Sequence, residues 1–265
     1  MAPERKAAKR HMQPMDILIQ RHAYPSPPVV SRAFFARDTK TVAQESLGKL
    51  LVRVTEDGLF LAKIVETEAY LGEHDPAAHA SFGRTKRTAV LYGEPGHAYV
   101  FQLRGHHCLN FVAEPSGSPG CVLIRAVEPL SGIETMRQLR GKRELKVTDL
   151  ANGPGKLCQA MSITMTLYGS DLVHPHSPLQ VWEPFEENEH EIEVSHRIGI
   201  TKAADWDLRF TLKRNAYLSR YHETHALSPS STRHRGSLLR HIPWRVQSSF
   251  LMLSTPFPGM LLYGT

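Results

Sequence analysis

The sequence predicts an α+β fold with a largely antiparallel β-sheet and flanking helices. Strand and helix patterns both occur, but they do not alternate as repeated βαβ units. The dipeptide Asp57-Gly58 separates two strand-like runs and is a typical hairpin turn, which joins antiparallel neighbours. The 265 residues suit one large domain or two small ones, and 41% apolar residues are enough for a buried core.

The first elements precede residue 71. Thr41-x-x-Gln44 has the form of a capping box and predicts a short helix that Gly48 ends. Strands are then predicted at residues 50–55 and 59–69, on either side of the hairpin turn.

Two further strands and two helices are predicted later in the chain. The strands lie at residues 98–103 and 121–127. Ser131-x-x-Glu134 predicts one helix start, and Asn152-Gly-Pro-Gly precedes a second helix at residues 156–161, with Pro154 suited to its first turn.

The net charge of +6 comes from the two ends of the chain. Residues 1–30 carry five basic and two acidic side chains, and residues 221–265 carry four and one. Residues 31–220 are therefore neutral overall. We expect a disordered basic arm at 1–30, the functional domain at 31–220 and a disordered C-terminal tail at 221–265.

Cysteine usage and hydropathy indicate an intracellular protein. The three cysteines lie far apart with no C-x-x-C spacing, and neither a secretory nor a transmembrane segment is evident in the sequence.

Two runs of like charge leave two interpretations open. Acidic residues crowd into 183–193 and basic residues into 137–146. Such runs are typical of solvated faces, but they also suit a polar molecule with one face for phosphate.

The segment at residues 63–79 carries the most chemical information. Strand alternation places Glu66, Glu68 and Tyr70 on one face and apolar residues on the other. A half-buried strand with a wet side would show the same pattern. Like charges two residues apart repel, however, which favours a carboxylate with a task or a cationic partner.

Arg125 is the natural cationic partner. It interrupts the apolar run Cys-Val-Leu-Ile-Arg-Ala-Val, where a cation needs a carboxylate nearby. A carboxylate near an aromatic ring, a histidine and an arginine could form a hydrolytic site. The spacing of His74, His79 and His106-His107 lacks a zinc pattern, so no metal is predicted.

Four segments together resemble the alkyladenine (3-methyladenine) DNA glycosylase family. They read Glu-Thr-Glu-Ala-Tyr-Leu-Gly followed by Ala-Ala-His, Cys-Val-Leu-Ile-Arg-Ala-Val-Glu-Pro-Leu, Gly-Ile-Glu-Thr-Met-Arg and Gly-Pro-Gly-Lys-Leu-Cys-Gln-Ala, beginning at residues 66, 121, 132 and 153. They keep the family's order over roughly residues 31–217. The resemblance implies one domain on a curved, largely antiparallel sheet, with a β-hairpin that inserts into DNA.

The resemblance also implies an activity. A family member is a monomeric, monofunctional base-excision repair enzyme without metal or cofactor, which binds duplex DNA containing damaged purines and no membrane. It flips out 3-methyladenine, 7-methylguanine or hypoxanthine and hydrolyses the N-glycosidic bond. No lysine nucleophile for an added lyase step is predicted, because Lys63 falls on the opposite strand face from Glu68.

Residue roles follow from the matching motifs. Glu68 matches the general base that activates water, and Arg125 the arginine that orients this water. The implied base pocket consists of Tyr70, His79, Phe101 and Asn110, and the implied DNA contacts are Arg104, Gly105 and Lys156. Asn110 matches an asparagine that rejects guanine.

The hairpin departs from the family pattern. The family reads approximately Tyr-Val-Tyr-x-Ile-Tyr-Gly before Cys-x-Asn, whereas residues 99–110 are one residue shorter. Phe101 replaces the stacking tyrosine, and Arg104 replaces the tyrosine that wedges into the minor groove. An arginine is a poorer apolar wedge, so we expect ordinary stacking but weaker or differently balanced flipping.

Two other classes of protein stay open at this point. A non-catalytic DNA-binding protein could keep the fold after its hairpin has lost productive flipping. A metallohydrolase could use His74, His79 and the glutamates.

Overall fold

A computed structural model describes residues 29–56, 58–142, 144–186 and 189–219 of the chain. The predicted basic arm up to residue 28 and the predicted tail from residue 221 lie outside these residues. The described fold begins at Val29, which forms an antiparallel bridge with Trp182, and at Val30, which is buried. In this part of the chain no helix is long and apolar enough to cross a bilayer.

The described residues form five α-helices and eight β-strands, with short 3-10 helices between them. The helices are α1 Arg32–Phe35, α2 Thr39–Glu45, α3 Ile133–Leu139, α4 Val147–Leu150 and α5 Pro154–Ala160. The strands are β1 Leu50–Thr55, β2 Gly58–Tyr70, β3 Ala98–Leu103, β4 His106–Ala113, β5 Gly120–Ser131, β6 Leu179–Trp182, β7 Ile192–Ser195 and β8 Arg209–Leu212.

All eight described strands belong to one antiparallel sheet that does not close into a barrel. The strand order is β3-β4-β5-β2-β1-β6, while β8 pairs with β2 and with β7. This arrangement confirms the predicted α+β class, single domain and antiparallel pairing. The strands predicted at residues 50–55 and 98–103 are confirmed with their bounds.

Strand β2 is the centre of the sheet because it is long enough to have three partners. It pairs with β5 on one side, and on the other side with β1 along its first half and β8 along its second half. The register with β5 shifts on both sides of Glu66, which marks a β-bulge at the first carboxylate.

The alternative of a half-buried strand with a wet side does not hold for β2. Glu66, Thr67 and Glu68 are all fully buried, so both faces of this half of the strand lie inside the protein. The reason is the set of groups that pack on the carboxylates: the Arg125 and Arg209 guanidinium groups, Ser219 and the Ile198 backbone all bond to them.

Two helix starts differ from those predicted. The capping residue of α2 is Asp38, whose carboxylate accepts the Thr41 backbone N–H at 2.9 Å and the Thr41 hydroxyl at 3.1 Å. Thr41 is therefore not the capping residue that the sequence predicted. Helix α3 begins after Gly132 with no side-chain cap, because Ser131 still pairs with Leu61 in the sheet.

The main core lies between the sheet and the helices. Val42 of α2, Met136 of α3 and Leu157 of α5 are fully buried in one apolar cluster with Ile64 and Ile124 of the sheet. Burial of such side chains is the main source of stability. The core therefore holds in place the strands that carry the functional side chains.

The β3–β4 hairpin ends in a two-residue turn. Leu103 pairs with His106, and the residues between them, Arg104 and Gly105, have φ angles of 49° and 81°. Positive φ at both central residues is typical of a type I′ turn, which fits the twist of a tight hairpin. The shorter hairpin inferred from the sequence is therefore a compact turn with Arg104 at its tip.

Gly132 links β5 to α3 and generates a prediction about stability. It has a φ of 81°, and an added Cβ would lie 2.8 Å from Phe60 Cδ1 and 3.0 Å from the Leu59 carbonyl oxygen. Gly132→Ala should therefore lower the free energy of unfolding by about 2–4 kcal/mol, from the strained φ and from overpacking. Equilibrium unfolding in urea measures this loss.

Gly117 provides the matched control. Its φ is 97°, but no atom lies within 4 Å of an added Cβ, so Gly117→Ala should cost only the backbone strain of about 1–2 kcal/mol. Equal losses in the two variants would show that Phe60 moves aside without cost.

Candidate active site

A cavity of about 480 Å³ opens beside the β3–β4 hairpin. Aromatic, apolar and polar side chains from the strands β2 to β5, together with the segment at residues 198–200, form its wall. The lining residues that matter chemically are Tyr70, His79, Tyr99, Phe101, Leu103, Arg104, Cys108, Asn110, Cys121, Arg125 and Ile198. The volume is in the range of small-molecule sites.

Glu66 lies below this cavity and is saturated with hydrogen bonds. Its Oε1 accepts from Arg125 Nε at 2.9 Å, Arg209 Nε at 2.8 Å and Ser219 Oγ at 2.7 Å. Its Oε2 accepts from the Ser219 backbone N–H at 2.6 Å. The carboxylate is fully buried and held by two guanidinium groups, so it serves as a structural counter-ion.

Glu68 borders the cavity through its hydrogen-bond partners. Its Oε1 accepts the Ile198 backbone N–H at 2.7 Å and lies 3.2 Å from Arg125 Nη1, while its Oε2 accepts the Tyr70 hydroxyl at 2.9 Å. All three partners line the cavity. A carboxylate oxygen has two lone pairs, so Oε2 can accept one further proton donor from the cavity side.

The two carboxylates have opposite pKa shifts. Burial alone would raise the pKa of Glu66, but Arg125, Arg209 and Ser219 outweigh it, and the pKa lies below its ordinary value. Burial dominates at Glu68, and the pKa is raised despite Arg125, Ile198 and Tyr70. Neighbouring carboxylates with separated pKa values are typical of a site in which one of them handles a proton.

Tyr70 forms one aromatic wall, and a buried ion pair supports it from behind. The Arg197 guanidinium stacks on the Tyr70 ring, with Cζ 4.7 Å from the centroid. Both side chains of the Arg197–Asp75 pair are fully buried, with Nη2 2.9 Å from Oδ1, and Arg197 Nη1 also donates to the Ala69 carbonyl at 3.0 Å. Because Ile198 follows Arg197, this pair also fixes the N–H that binds Glu68.

His79 and Phe101 form the opposite wall. Their rings meet edge to face with centroids 4.6 Å apart. His79 Nδ1 lies 2.9 Å from the Tyr99 hydroxyl, and Nε2 lies 3.2 Å from Arg87 Nη2. A guanidinium can only donate, so Nε2 is assigned as the acceptor and Nδ1 as the protonated nitrogen. Burial and Arg87 lower the pKa of His79 to about 4, so the ring is neutral near pH 7.

Asn110 and two cysteines complete the inner end. The Asn110 amide donates to the Tyr99 carbonyl at 3.1 Å, and its oxygen lies 3.9 Å from Cys121 Sγ. Burial raises the pKa of the Cys121 thiol to about 12, so this cysteine is a neutral part of the wall.

The structure brings most of the residues singled out in the sequence together. Tyr70, His79, Phe101, Asn110, Arg104 and Arg125 line one cavity, and Glu68 borders it through its hydrogen-bond partners. Gly105 completes the exposed turn at its rim. Lys156 lies in an adjoining depression, which shares Arg125 and Pro154 with the cavity, and donates to Asn152 Oδ1 at 2.7 Å.

Several site residues gave no signal in the sequence. Arg209, Ser219, Arg197 and Arg87 stand outside the four motifs, and only the fold brings them to the carboxylates and the aromatic walls. The only signal that the sequence offered for these residues was the presence of arginines outside the four motifs. Among the described residues, no three His, Cys, Asp or Glu side chains are grouped as metal ligands.

Comparison with known proteins gives one consistent family. A family model described as methylpurine-DNA glycosylase matches residues 33–216. The chain is 53% identical to a protein of Methanocella arvoryzae over 55% of this chain and 72% of that protein. It is 47% identical to one of Methanoculleus marisnigri over 71% and 97%, and 42% identical to one of Koribacter versatilis over 71% and 91%. All three carry the provisional name 3-methyladenine DNA glycosylase.

The buried Arg197–Asp75 pair generates a prediction. Asp75→Asn leaves a buried guanidinium without its counter-ion, and we expect the free energy of unfolding to fall by about 3–5 kcal/mol. Adding Arg197→Met should restore part of this loss, because the unpaired charge is then removed. Urea denaturation of both variants measures the difference.

Glu73→Gln is the matched control for the single variant. Glu73 is exposed, lies two residues before Asp75 and accepts the Tyr92 hydroxyl at 2.7 Å. The Glu73→Gln variant should therefore lower the free energy of unfolding by less than about 1 kcal/mol. A double variant less stable than Asp75→Asn would mean that Arg197 stabilises the fold chiefly through its packing.

Proposed function

The chain belongs to the methylpurine-DNA glycosylase family, and we propose that it excises alkylated or deaminated purines from duplex DNA by hydrolysing the N-glycosidic bond. As a member of this family it is a DNA glycosylase of DNA repair, with DNA as its partner. One observation carries the finer proposal: a buried glutamate of raised pKa is bonded to three residues that line an aromatic cavity of about 480 Å³.

The cavity requires the target nucleotide to leave the helix. A purine inside a duplex is stacked on both sides, so no side chain can reach its glycosidic bond until the nucleotide is extruded. Tyr70 on one wall and Phe101 with His79 on the other leave a slot lined by ring faces and edges. We propose that 3-methyladenine, 7-methylguanine and hypoxanthine bind between these walls.

Glu68 is proposed as the general base. A raised pKa brings a carboxylate closer to the operating pH and makes it a better proton acceptor for a water that attacks C1′. Its negative charge, held in a dry site, also stabilises the positive charge that develops on the sugar. Glu66 is not assigned this role, because four hydrogen bonds already occupy its carboxylate and its pKa is lowered.

Arg125 is proposed to orient the attacking water together with Glu68. It binds both carboxylates and lines the cavity, so it is the group that connects the buried charges with the reacting sugar. Its Nη2 is also 3.3 Å from Ser219 Oγ, which fixes the plane of the guanidinium.

Base selection is assigned to the inner end of the cavity. Asn110 is buried and held by Tyr99, so its amide has a fixed orientation toward the base edge. An exocyclic amino group there would meet a group that cannot move aside, which supports the expected rejection of guanine. 7-Methylguanine carries the same amino group, but it is cationic and leaves readily, so it is still excised.

DNA contacts are assigned to the hairpin tip and to Lys156. Arg104 and Gly105 are exposed at the turn, and Leu103 beside them is 55% exposed although it is apolar. Leu103 adds an apolar side chain to the tip where the sequence suggested only a cation. We propose that this tip enters the minor groove, while Lys156 binds a phosphate. We propose that the protein acts on DNA inside the cell, as a monomer.

The proposed base generates the central prediction. Glu68→Gln should reduce single-turnover release of 7-methylguanine at least about 100-fold, because the amide cannot accept the water proton. DNA binding and the unfolding temperature should stay close to wild type, since Arg125 keeps its bond to Glu66. Chromatographic detection of the free base and cleavage of the abasic product measure the rate.

Glu128→Gln is the matched control, because Glu128 also lies on the sheet but pairs with Lys63 at 2.8 Å, away from the cavity. It should retain excision within about twofold. Unchanged excision by Glu68→Gln would make the assignment of the base wrong. A wild type that binds DNA but releases no base would favour the non-catalytic alternative.

The Tyr70 hydroxyl generates a prediction about pH. The rate for 7-methylguanine should rise with pH as Glu68 loses its proton, because this cationic base needs no acid to leave. The Tyr70 hydroxyl donates to ionised Glu68 and so lowers its pKa. Tyr70→Phe should move the midpoint of the pH–rate profile to higher pH, and Tyr92→Phe, which loses only a bond to Glu73, should leave it in place. A midpoint that moves to lower pH would contradict the assignment.

A further inference from the structure

Arg87 is presented to the cavity wall by an anchored loop. Thr88 is buried, and its hydroxyl accepts the Thr85 N–H at 2.8 Å and donates to the Gly83 carbonyl at 3.1 Å. The Tyr168 hydroxyl lies 3.2 Å from the Arg87 carbonyl oxygen and 3.2 Å from the Val90 nitrogen. The backbone on both sides of Arg87 is therefore fixed, although its side chain reaches the surface.

The Arg87 guanidinium lies behind the wall formed by His79 and Phe101. Its Cζ is 5.1 Å from the Phe101 ring centroid, and its Nη2 is 3.2 Å from His79 Nε2. Arg87 is not among the residues that line the cavity. A base stacked on this wall would thus feel the positive charge through the ring, without a direct contact.

The two arginines that stack on cavity rings differ in their compensation. Arg197, behind Tyr70, is neutralised by buried Asp75. Arg87, behind Phe101, has no acidic partner within 4 Å among the described residues. One wall of the cavity is therefore backed by a neutral pair and the other by a net positive charge.

We propose that Arg87 is a specificity-determining residue that favours electrically neutral purine lesions over cationic alkylated ones, which rests on the proposed function of this cavity. The reason is the charge change during the reaction. The C1′–N9 bond breaks and its electron pair stays on the purine, so the base gains one negative charge whatever its starting charge. The water oxygen bonds to C1′, one water proton goes to Glu68, and the released base later exchanges protons with solvent.

The two lesion classes start from different charges. A neutral base such as hypoxanthine develops negative charge in the transition state, which Arg87 stabilises relative to the free substrate. A cationic base such as 7-methylguanine becomes nearly neutral, so Arg87 only weakens its binding. Because kcat/KM compares the transition state with free enzyme and substrate, Arg87 should raise this ratio for neutral lesions alone.

Arg87→Gln tests the proposal with hypoxanthine and 7-methylguanine placed in the same duplex. Single-turnover rates at increasing enzyme concentration give the maximal rate divided by the half-saturating concentration for each lesion. We expect this ratio to fall about 20-fold for hypoxanthine, the size expected for a unit charge acting over roughly 9 Å near a protein surface. For 7-methylguanine it should stay within about twofold.

Two variants separate charge from structure. Arg87→Lys keeps the positive charge and should stay closer to wild type for hypoxanthine than Arg87→Gln. Arg84→Gln is the matched control: Arg84 belongs to the same loop and also stacks on a ring, 5.7 Å from the Tyr92 centroid, but Tyr92 does not line the cavity. It should leave the preference between the two lesions unchanged.

An equal fall for both lesions in Arg87→Gln would overturn the proposal, because it would mean that Arg87 acts on the DNA backbone or on the fold. Unchanged values for both would overturn it as well. In either case the wild type still releases base and the proposed function stands. If the wild type releases neither base, the proposed function fails and this inference fails with it.

Discussion

The site depends on the burial of two like charges beside one arginine. Glu66 and Glu68 lie two residues apart on β2 with fully buried carboxylates, an arrangement that repulsion and desolvation would forbid without compensation. Arg125 on β5 supplies it through two separate donors, Nε to Glu66 and Nη1 to Glu68. The two carboxylates can therefore stay buried only while β2 is paired with β5. Sheet and site consequently stabilise each other.

The same network gives the carboxylates different chemistry. Glu66 receives two arginines and both donors of Ser219, so it stays ionised as a structural anion. Glu68 receives fewer donors against complete burial, and its pKa rises. A fixed anion beside a proton acceptor is what hydrolysis through an activated water needs. In the proposed function, the aromatic walls of the cavity decide which base can bind.

Much of the fold could be predicted from local patterns. Strands such as β1 and β3 have bounds set by alternation and by nearby turns, and both agree with the sequence-based prediction. Helices α2 and α3 were predicted but given the wrong caps, because Asp38 accepts the Thr41 N–H and because Ser131 remains paired with Leu61 in the sheet. The β-strands after residue 178 were not predicted, since each is only four residues long.

For the site, the sequence by itself determined the residues that lie within the four motifs. They include Glu68, Tyr70, His79 and Arg125. These lie on or beside β2 and β5, so strand parity already grouped their faces. Tertiary structure alone decided which glutamate has the raised pKa, because Arg209, Ser219 and Ile198 reach the carboxylates from more than 125 residues away. Protonation depends on distance and burial in three dimensions, and neither quantity is encoded in spacing along the chain.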